Sequence, residues 1–356
     1  MRELKLKNFW KSATFGEICG GECVKNFGNP ESELSALRNS VAVCDMSFVK
    51  KFVFDEAEGL DFLDSILAAN ILKLRYGRMV DTFLANGDGN VCAEIFAASI
   101  DDKIIVTAET LSPDAADILK NGANCKDISD DCVFISADGP SAWKVAKAIF
   151  GADIFNLPYL SVEKYLFEGS DVYLMRNGKT GEFGYQFLAP NSIAEKLAAA
   201  IMDAAKAEGG APCGFDAHQF ARLEGNFFNI YAEGESVGNP LELGLQWMID
   251  FSKESFAGSE KIFAQRERGV KNKLVALNSN APLQPGTKVF DGSIPAGTIC
   301  VSKTCGKKHL ELGLFDAKYA LSGFEFSSIP NGACDVKTVS RPFILAQSLI
   351  KGMEQQ

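Results

Sequence analysis

Three short glycine-rich segments of the chain each carry a carboxylate that could bind a ligand. They are Gly87–Glu94, Gly178–Tyr185 and Arg222–Gly225. Glycine lets the backbone turn tightly and approach a partner closely, so a neighbouring carboxylate can be held in one position. An ionised carboxylate there accepts two parallel N–H donors, such as those along the edge of an amino-substituted pyrimidine ring. Each segment could therefore bind something, and no segment alone says what.

The segment Gly178–Tyr185 has two interpretations when it is taken alone. In the first, Gly181 and Gly184 bring the backbone close to a ligand, and Glu182 binds that ligand. In the second, the same glycines turn a hairpin and leave Glu182 in solvent. The local sequence favours the second interpretation and does not exclude the first.

The chain has only two histidines, His218 and His309. Acid–base chemistry near neutral pH would therefore fall mainly to carboxylates. No nucleophile elbow, phosphate-binding P-loop or His-Glu-x-x-His motif is present. The ten cysteines are scattered without the spacing of a zinc site. We expect reduced core thiols and no metal.

The composition is that of an ordinary globular protein with a large core. The chain has 356 residues, of which 47% are hydrophobic, and a formal net charge of −10. This charge argues against nucleic-acid and anionic-membrane partners. There is no apolar run of about 18 residues and no signal-peptide-like start. We expect two or three domains and a cytoplasmic location.

The pattern of apolar and turn-forming residues predicts a mixed α+β protein. It indicates helices at Val53–Leu72 and Ser192–Glu208, the second with a capping box formed by Ser192 and Glu195. Asn86–Gly89 between two β-like runs predicts a hairpin. After about residue 265, short strands alternate with turns, which is typical of a β domain. The chain lacks the strict strand–helix alternation of a doubly wound sheet.

Seven short blocks follow one another in a recognisable order along the chain. They are Asp45–Ser47, Asn86–Phe96, Asp138–Pro140, Gly178–Glu182, Pro212–Gly225, Asn239–Gly244 and Phe256–Gly258. In this order they resemble the aminomethyltransferase family, the T-protein of the glycine cleavage system, and its folate-dependent relatives. Gly178–Glu182, for example, is similar to the family's Gly-Tyr-Thr-Gly-Glu. Each block is short, and the shared order is what makes the resemblance specific.

The resemblance implies a three-domain, disc-like α+β fold with a central folate channel. Its third domain would be a β-barrel or jelly-roll-like unit. The implied domains are a discontinuous folate-binding domain of residues 1–48 and 137–262, a second α+β domain of residues 49–136, and a C-terminal β domain of residues 263–356.

The resemblance also implies roles for individual side chains. Tetrahydrofolate would lie in the channel and accept a one-carbon unit at its N5. Glu94 would be the catalytic carboxylate, and Glu182 would bind the amino and ring N–H groups of the pterin. Arg222, together with Glu224, is also expected in structural ion pairs with other residues. The other implied folate-contacting residues are Asp81, Tyr185, His218 and Arg222.

Several positions depart from the family's pattern. Many members have Asp at the position of Glu94. They also have another acidic residue at the position of Ala93. His218 stands where a folate-contacting Arg is usual, and a neutral imidazole replaces a bidentate cation poorly. Asp81 and Lys179 each stand at a position that is often Tyr. The pocket is therefore expected to be rebuilt relative to the family.

Two functions remain open from the sequence. The first is a tetrahydrofolate-dependent methyl or aminomethyl transferase that takes its one-carbon unit from a small donor, with a lipoyl carrier protein as a possible partner. The second is a folate-binding or degenerate, non-catalytic relative with an assembly or regulatory role. An iron–sulfur maintenance role is disfavoured, because Ser252–Gly258 lacks the cysteine of that branch.

Overall fold

The computed structural model describes residues 2–122 and 124–353. Its strands are β1 (Thr14–Ile18), β2 (Gly21–Asn26), β3 (Ala42–Asp45), β4 (Lys50–Asp55), β5 (Met79–Ala85), β6 (Val91–Ile100), β7 (Lys103–Thr110), β8 (Lys126–Asp127), β9 (Cys132–Asp138), β10 (Ser161–Phe167), β11 (Ser170–Arg176), β12 (Gly184–Pro190), β13 (Ala211–Cys213), β14 (Asn272–Ser279), β15 (Lys288–Asp291), β16 (Ile294–Cys305), β17 (Lys308–Asp316), β18 (Glu325–Phe326) and β19 (Val336–Val339). Its α-helices are α1 (Pro30–Asn39), α2 (Glu56–Ile66), α3 (Pro113–Lys120), α4 (Ala142–Phe150), α5 (Ala194–Ala207), α6 (Phe215–Glu224), α7 (Glu233–Ser236), α8 (Pro240–Leu243), α9 (Ser259–Arg268) and α10 (Gln347–Ile350).

Three larger sheets and one hairpin carry the fold, and helices are packed among them. The first sheet has the strand order β10-β11-β12-β9-β3-β13, and the second has the order β5-β6-β7-β4-β8. The strands β1 and β2 form the separate hairpin. Among the described strands of these two sheets, β13 and β3 form the one parallel pair. The mixture confirms the predicted α+β class.

The third sheet, in the order β15-β16-β17-β14-β19-β18, is nearly closed into a barrel. A bridge between Phe290 and Ser327 joins its two ends. Bonding of these edges leaves few unpaired backbone groups, which is what barrel closure achieves. The barrel-like C-terminal sheet of the predicted fold class is confirmed.

Two local predictions need correction, and the hairpin prediction is confirmed. The helix predicted at Val53–Leu72 is α2, Glu56–Ile66, because residues 53–55 belong to strand β4; Asp55 caps α2 by accepting a hydrogen bond from the Ala57 backbone N–H. The predicted helix Ser192–Glu208 begins at Ala194, after a 3-10 turn, without the expected capping box. Asn86–Gly89 does connect β5 to β6.

The predicted boundary at residues 136 and 137 falls inside β9, which pairs with β3 and β12 of the first sheet. The domain division therefore stays a prediction. The ten cysteines are all free thiols. Across the described parts of the chain, no helix is long and apolar enough to span a membrane, and no group of His, Cys, Asp and Glu side chains could hold a metal ion.

Candidate functional site

Five buried, ionisable side chains form one cluster. The guanidinium of Arg222 donates to Glu94 Oε2 at 2.7 Å and to both carboxylate oxygens of Glu109 at 2.9 Å. The ammonium of Lys179 donates to Glu94 Oε1 and lies 3.5 Å from Asp81 Oδ1. We call Asp81, Glu94, Glu109, Lys179 and Arg222 the central cluster.

Sheet register places the carboxylates of the central cluster together. Glu94 on β6 lies directly opposite Glu109 on β7, and Phe96 lies opposite Asp81 on β5. Like charges directly opposite each other in a sheet are destabilising. Arg222, in the last turn of α6, offsets this repulsion because its forked donors reach both carboxylates.

A close contact between two glycines positions Lys179. The loop between β11 and β12 folds so that a Cβ on Gly184 would lie 2.2 Å from the Cα of Gly178. No other residue fits at such a distance, so this glycine pair fixes the course of the loop. The side chain of Lys179 is 5% exposed, and its ammonium lies 4.3 Å from the centroid of the Phe96 ring. The loop therefore delivers a cation rather than an aromatic ring to the central cluster.

Two cavities meet at the central cluster. The outer cavity has a volume of about 210 Å³, and Asp81, Glu94 and Lys179 lie among the residues that line it. Trp247, which is 62% exposed, also lines the outer cavity. The outer cavity is therefore a pocket that presents both signs of charge beside aromatic surface.

The inner cavity, of about 20 Å³, touches Glu94 and Lys179 from the other side. Gln186 and His218 line it, and the Gln186 Oε1 and His218 Nδ1 atoms have no hydrogen-bond partner among the described residues. A space of this size holds about one water molecule. The Lys179–Glu94 pair therefore lies between a pocket of about 210 Å³ and a cavity with room for about one water molecule.

Comparison with known proteins identifies the family. The family model described as the GCVT N-terminal domain matches residues 9–253. The chain belongs to this family.

Relatives of the GCVT family with similar sequences are named aminomethyltransferases. One from Caldanaerobacter subterraneus subsp. tengcongensis is 27% identical over 313 residues, covering 84% of this chain and 83% of the relative. Another, from Thermotoga petrophila, is 25% identical over 365 residues and covers 95% of each. The crystal structure of the glycine cleavage system aminomethyltransferase T from Bartonella henselae matches with a TM-score of 0.83 at 18% identity, over 97% of this chain and 98% of that one. This last match supports the fold.

Burial changes the proton affinity of the central cluster in this GCVT-family chain. Burial raises the pKa of Asp81 to about 7, although Lys179 opposes the shift. Burial would lower the pKa of Arg222, but Glu109 and Glu94 outweigh it and the pKa is raised. Burial likewise raises the pKa of Glu233, on the wall of the outer cavity, to about 7. The outer cavity thus holds two carboxyl groups that can carry a proton near neutral pH.

The raised pKa of Asp81 predicts a pH-dependent stability. The unfolded chain loses this proton near pH 4, whereas the folded chain keeps it until about pH 7. Between these values the folded state binds more protons, so the free energy of unfolding falls as the pH rises through this window. We expect urea titrations from pH 4 to 8 to show this fall in the wild type and a smaller one in Asp81→Asn. Asp88→Asn, in the exposed hairpin turn, is the control, and parallel curves for wild type and Asp81→Asn would contradict the assignment.

Glu182 lies outside the central cluster and binds the end of the described chain. Its carboxylate accepts hydrogen bonds from the Gln347 N–H at 3.1 Å and from the Ser348 N–H at 2.9 Å and hydroxyl at 2.6 Å. The Arg38 guanidinium lies 3.5 Å away on the other side. Both carboxylate oxygens are therefore engaged, and neither interpretation of Glu182 from the sequence alone describes this contact.

Glu182→Gln is expected to loosen the segment around Gln347 and Ser348. Hydrogen bonds to a charged group contribute about 1.5–3 kcal/mol, so local opening should become about tenfold more frequent or more. Hydrogen exchange of these two backbone amides, followed by mass spectrometry, measures this directly. Glu325→Gln, on the exposed edge of the barrel, is the control. Unchanged exchange in Glu182→Gln would show that the carboxylate does not hold the segment.

The structure brings together most, but not all, of the residues expected from the sequence. Asp81, Glu94 and Arg222 meet in the central cluster, and His218 lines the inner cavity, with its Nε2 3.4 Å from Asp138 Oδ2. Tyr185 does not join them, because it packs in the core on the opposite face of the first sheet.

Sequence reasoning missed two residues of the site. Gln186, the neighbour of Tyr185 on β12, faces the inner cavity because successive side chains of a strand point to opposite faces. Glu109 binds Arg222 but lies in no glycine-rich segment or family-like block. Only its place opposite Glu94 in the sheet could have revealed it.

The expected ion pairing of Arg222 and Glu224 with other partners is confirmed. Glu224 accepts from Arg38 Nε at 2.9 Å and from Lys308 Nζ at 2.6 Å. Lys308 lies on the barrel strand β17, so this pair ties α6 to the third sheet. Arg222 and Glu224 therefore connect α6 to two different parts of the molecule.

Proposed function

We propose that this protein is a tetrahydrofolate-dependent one-carbon transferase that acts in the outer cavity. The observation that carries the proposal is that three ionisable side chains in contact with one another, Asp81, Lys179 and Glu94, line that cavity in a chain of the GCVT family. The names of its relatives support a transferase that moves a one-carbon unit. The proposed donor is a small molecule, an amine, thioether or aryl ether, and the proposed location is the cytoplasm.

The outer cavity offers a flat pterin the partners that it needs. Two buried acceptor atoms in it can take further donors: Glu233 Oε2 has no hydrogen-bond partner among the described residues, and Asp81 Oδ1 has a long contact of 3.5 Å with the Lys179 ammonium. The N–H groups along a pterin edge would satisfy them. Phe227 and Trp247 supply aromatic surface, and Arg341 offers a cation for the glutamate tail. Glu182 has no part in this arrangement, because its oxygens are engaged elsewhere.

The side chains of the outer cavity can serve the transfer in two ways. Tetrahydrofolate supplies N5, the nitrogen whose lone pair forms the new bond to the one-carbon unit. As the donor bond breaks, its electron pair goes to the leaving group, which then needs a proton. Asp81 holds a proton near neutral pH and can give it to that group, and the proton that N5 loses after forming its new bond can return to Asp81. Glu94 stabilises the positive charge that develops beside it, and Lys179 fixes the orientation of both carboxyl groups.

Anaerobic calorimetry with reduced tetrahydrofolate tests the proposal. We expect micromolar binding to the wild type, worth roughly 8 kcal/mol, and weaker binding to Asp81→Asn and Glu233→Gln. Glu235→Gln, an exposed change in the same short helix α7, should bind like the wild type, as should Glu182→Gln. Failure of the folded wild type to bind at millimolar tetrahydrofolate would refute the proposed function.

One observation favours a second candidate, a folate-free relative with a regulatory or assembly role. Both oxygens of Glu94 already have cationic partners, Lys179 and Arg222, and the inner cavity has room for about one water. A ligand that needs Glu94 must therefore compete with two buried ion pairs. Absence of tetrahydrofolate binding in the calorimetry would support this candidate, and micromolar binding that depends on Asp81 would exclude it.

A further inference from the structure

Helix α6 separates the central cluster from another cavity of about 270 Å³. His218 and Arg222 face the central cluster, whereas Gln219 and Leu223 line this other cavity, which we call the barrel-side cavity. Its opposite wall is the end of strand β16, at Lys303–Cys305. The barrel-side cavity therefore lies between α6 and the barrel, and shares no lining residue with the outer or inner cavity.

Gln219 is the unusual residue of the barrel-side cavity. It is 9% exposed, and neither its Nε2 nor its Oε1 has a hydrogen-bond partner among the described residues. A buried amide without partners costs about 1–3 kcal/mol, so such a group is normally satisfied by something. A carboxamide presents one donor and one acceptor side by side. Its matched partner is a group with an adjacent N–H and C=O, as in a cyclic amide.

The remaining walls favour a flat, negatively charged molecule. The rings of Phe215 and Tyr231, whose centroids are 5.8 Å apart, supply aromatic surface. Lys25 lies 2.7 Å from Asp216, so each offsets the charge of the other. Lys303, in contrast, has no carboxylate within 4 Å in the part of the chain that the structure describes. Lys303 is exposed to solvent, and its ammonium group can pair with an anion that enters the cavity.

We propose that the barrel-side cavity is a binding site for a small, planar cyclic amide that carries a negative charge. The ring lies against Phe215 and Tyr231, and its amide edge exchanges two hydrogen bonds with the side chain of Gln219. The anionic group pairs with Lys303. The site is independent of the transferase proposal, because it uses the other face of α6.

Three probes of related shape separate the contributions of amide edge and charge. Orotate has a flat ring, a cyclic amide edge and a carboxylate; uracil lacks the carboxylate, and benzoate lacks the amide edge. We expect calorimetry or ligand-observed NMR to show that orotate binds. Uracil and benzoate should each bind with an affinity lower by about tenfold or more. Equal binding of orotate and benzoate, or no orotate binding at millimolar concentration, would overturn the proposal.

Two variants assign the contacts. Gln219→Met should weaken the binding of orotate by about tenfold or more and leave the binding of benzoate unchanged. Lys303→Met should weaken the binding of orotate and of benzoate by similar factors. Gln219→Met also removes the buried, unpartnered amide, so the ligand-free variant should be at least as stable as the wild type in urea. Lys273→Met, on β14 outside the barrel-side cavity, is the control for Lys303. Orotate binding that is unaffected by Gln219→Met would overturn the assignment of the site.

Discussion

Replacing Arg222 with methionine is expected to lower the free energy of unfolding by about 3–5 kcal/mol. Arg222 is the cation that binds both Glu94 and Glu109, which lie opposite each other on adjacent strands. Its loss leaves two buried carboxylates side by side: Glu109 loses the guanidinium that binds both of its oxygens, and Glu94 keeps Lys179 alone of its two cationic partners. The Phe228 carbonyl, which accepts from Arg222 at 2.6 Å, also loses its donor. Urea unfolding followed by circular dichroism measures the change.

Two further variants keep this prediction testable if Arg222→Met fails to fold. In Arg222→Met with Glu94→Gln, one of the repelling carboxylates is neutral, so we expect part of the lost stability to return. Arg222→Lys keeps the positive charge but not the forked donors that reach two carboxylates. Its free energy of unfolding should therefore lie between those of the wild type and Arg222→Met. Arg268→Met, at the exposed end of α9, should stay within about 0.5 kcal/mol of the wild type. A change of that small size in Arg222→Met would show that the cluster does not hold the sheet together.

Glu94→Gln is expected to lower the rate of one-carbon transfer by about 10²–10³-fold, the usual effect of removing one group that stabilises developing charge. The amide keeps the shape of the side chain and removes its negative charge. The assay follows the methylated tetrahydrofolate formed from vanillate, an aryl methyl ether, or from dimethylglycine. Because Glu94 acts on developing charge, tetrahydrofolate binding should change far less than the rate.

The matched control is Glu195→Gln, an exposed change in the first turn of α5 that should leave the rate unaltered. Measurement of both binding and rate separates a catalytic from a structural role. A Glu94→Gln enzyme that transfers at the wild-type rate would remove Glu94 from the mechanism. Equal losses in binding and in rate would indicate that Glu94 only shapes the pocket.

Local sequence patterns predicted the elements of this fold better than their boundaries. The hairpin at Asn86–Gly89 and the strands of the C-terminal sheet follow from turn residues between short apolar runs, whereas closure of that sheet into a barrel was implied by the family resemblance. The helix expected at Val53–Leu72 begins later, because residues 50–55 pair with β7 in the second sheet. A segment's own periodicity cannot report a partner strand that lies far along the chain.

The site shows the same division between local and distant information. The resemblance to the family brought Asp81 and Glu94 into one group, and the structure places both at the outer cavity. Tyr185 and Gln186 differ by one position, yet one faces the helices and the other the inner cavity, since an error of one residue on a strand changes the face. The partner of Glu182 lies 165 residues away in the sequence, and no local pattern could have indicated it.

Because Glu182 contacts residues 347 and 348, the structure around it can be completed only late in translation. Glu182 is translated long before the backbone N–H groups that it binds, so a nascent chain ending before residue 347 lacks these donors and keeps Arg38 as the cationic partner of the carboxylate. Hydrogen bonds to a charged group contribute about 1.5–3 kcal/mol each, so their absence weakens this part of the fold. The region around Glu182 therefore reaches its final stability only when the last described helix has been released from the ribosome, and prematurely terminated chains should be good substrates for cellular proteases.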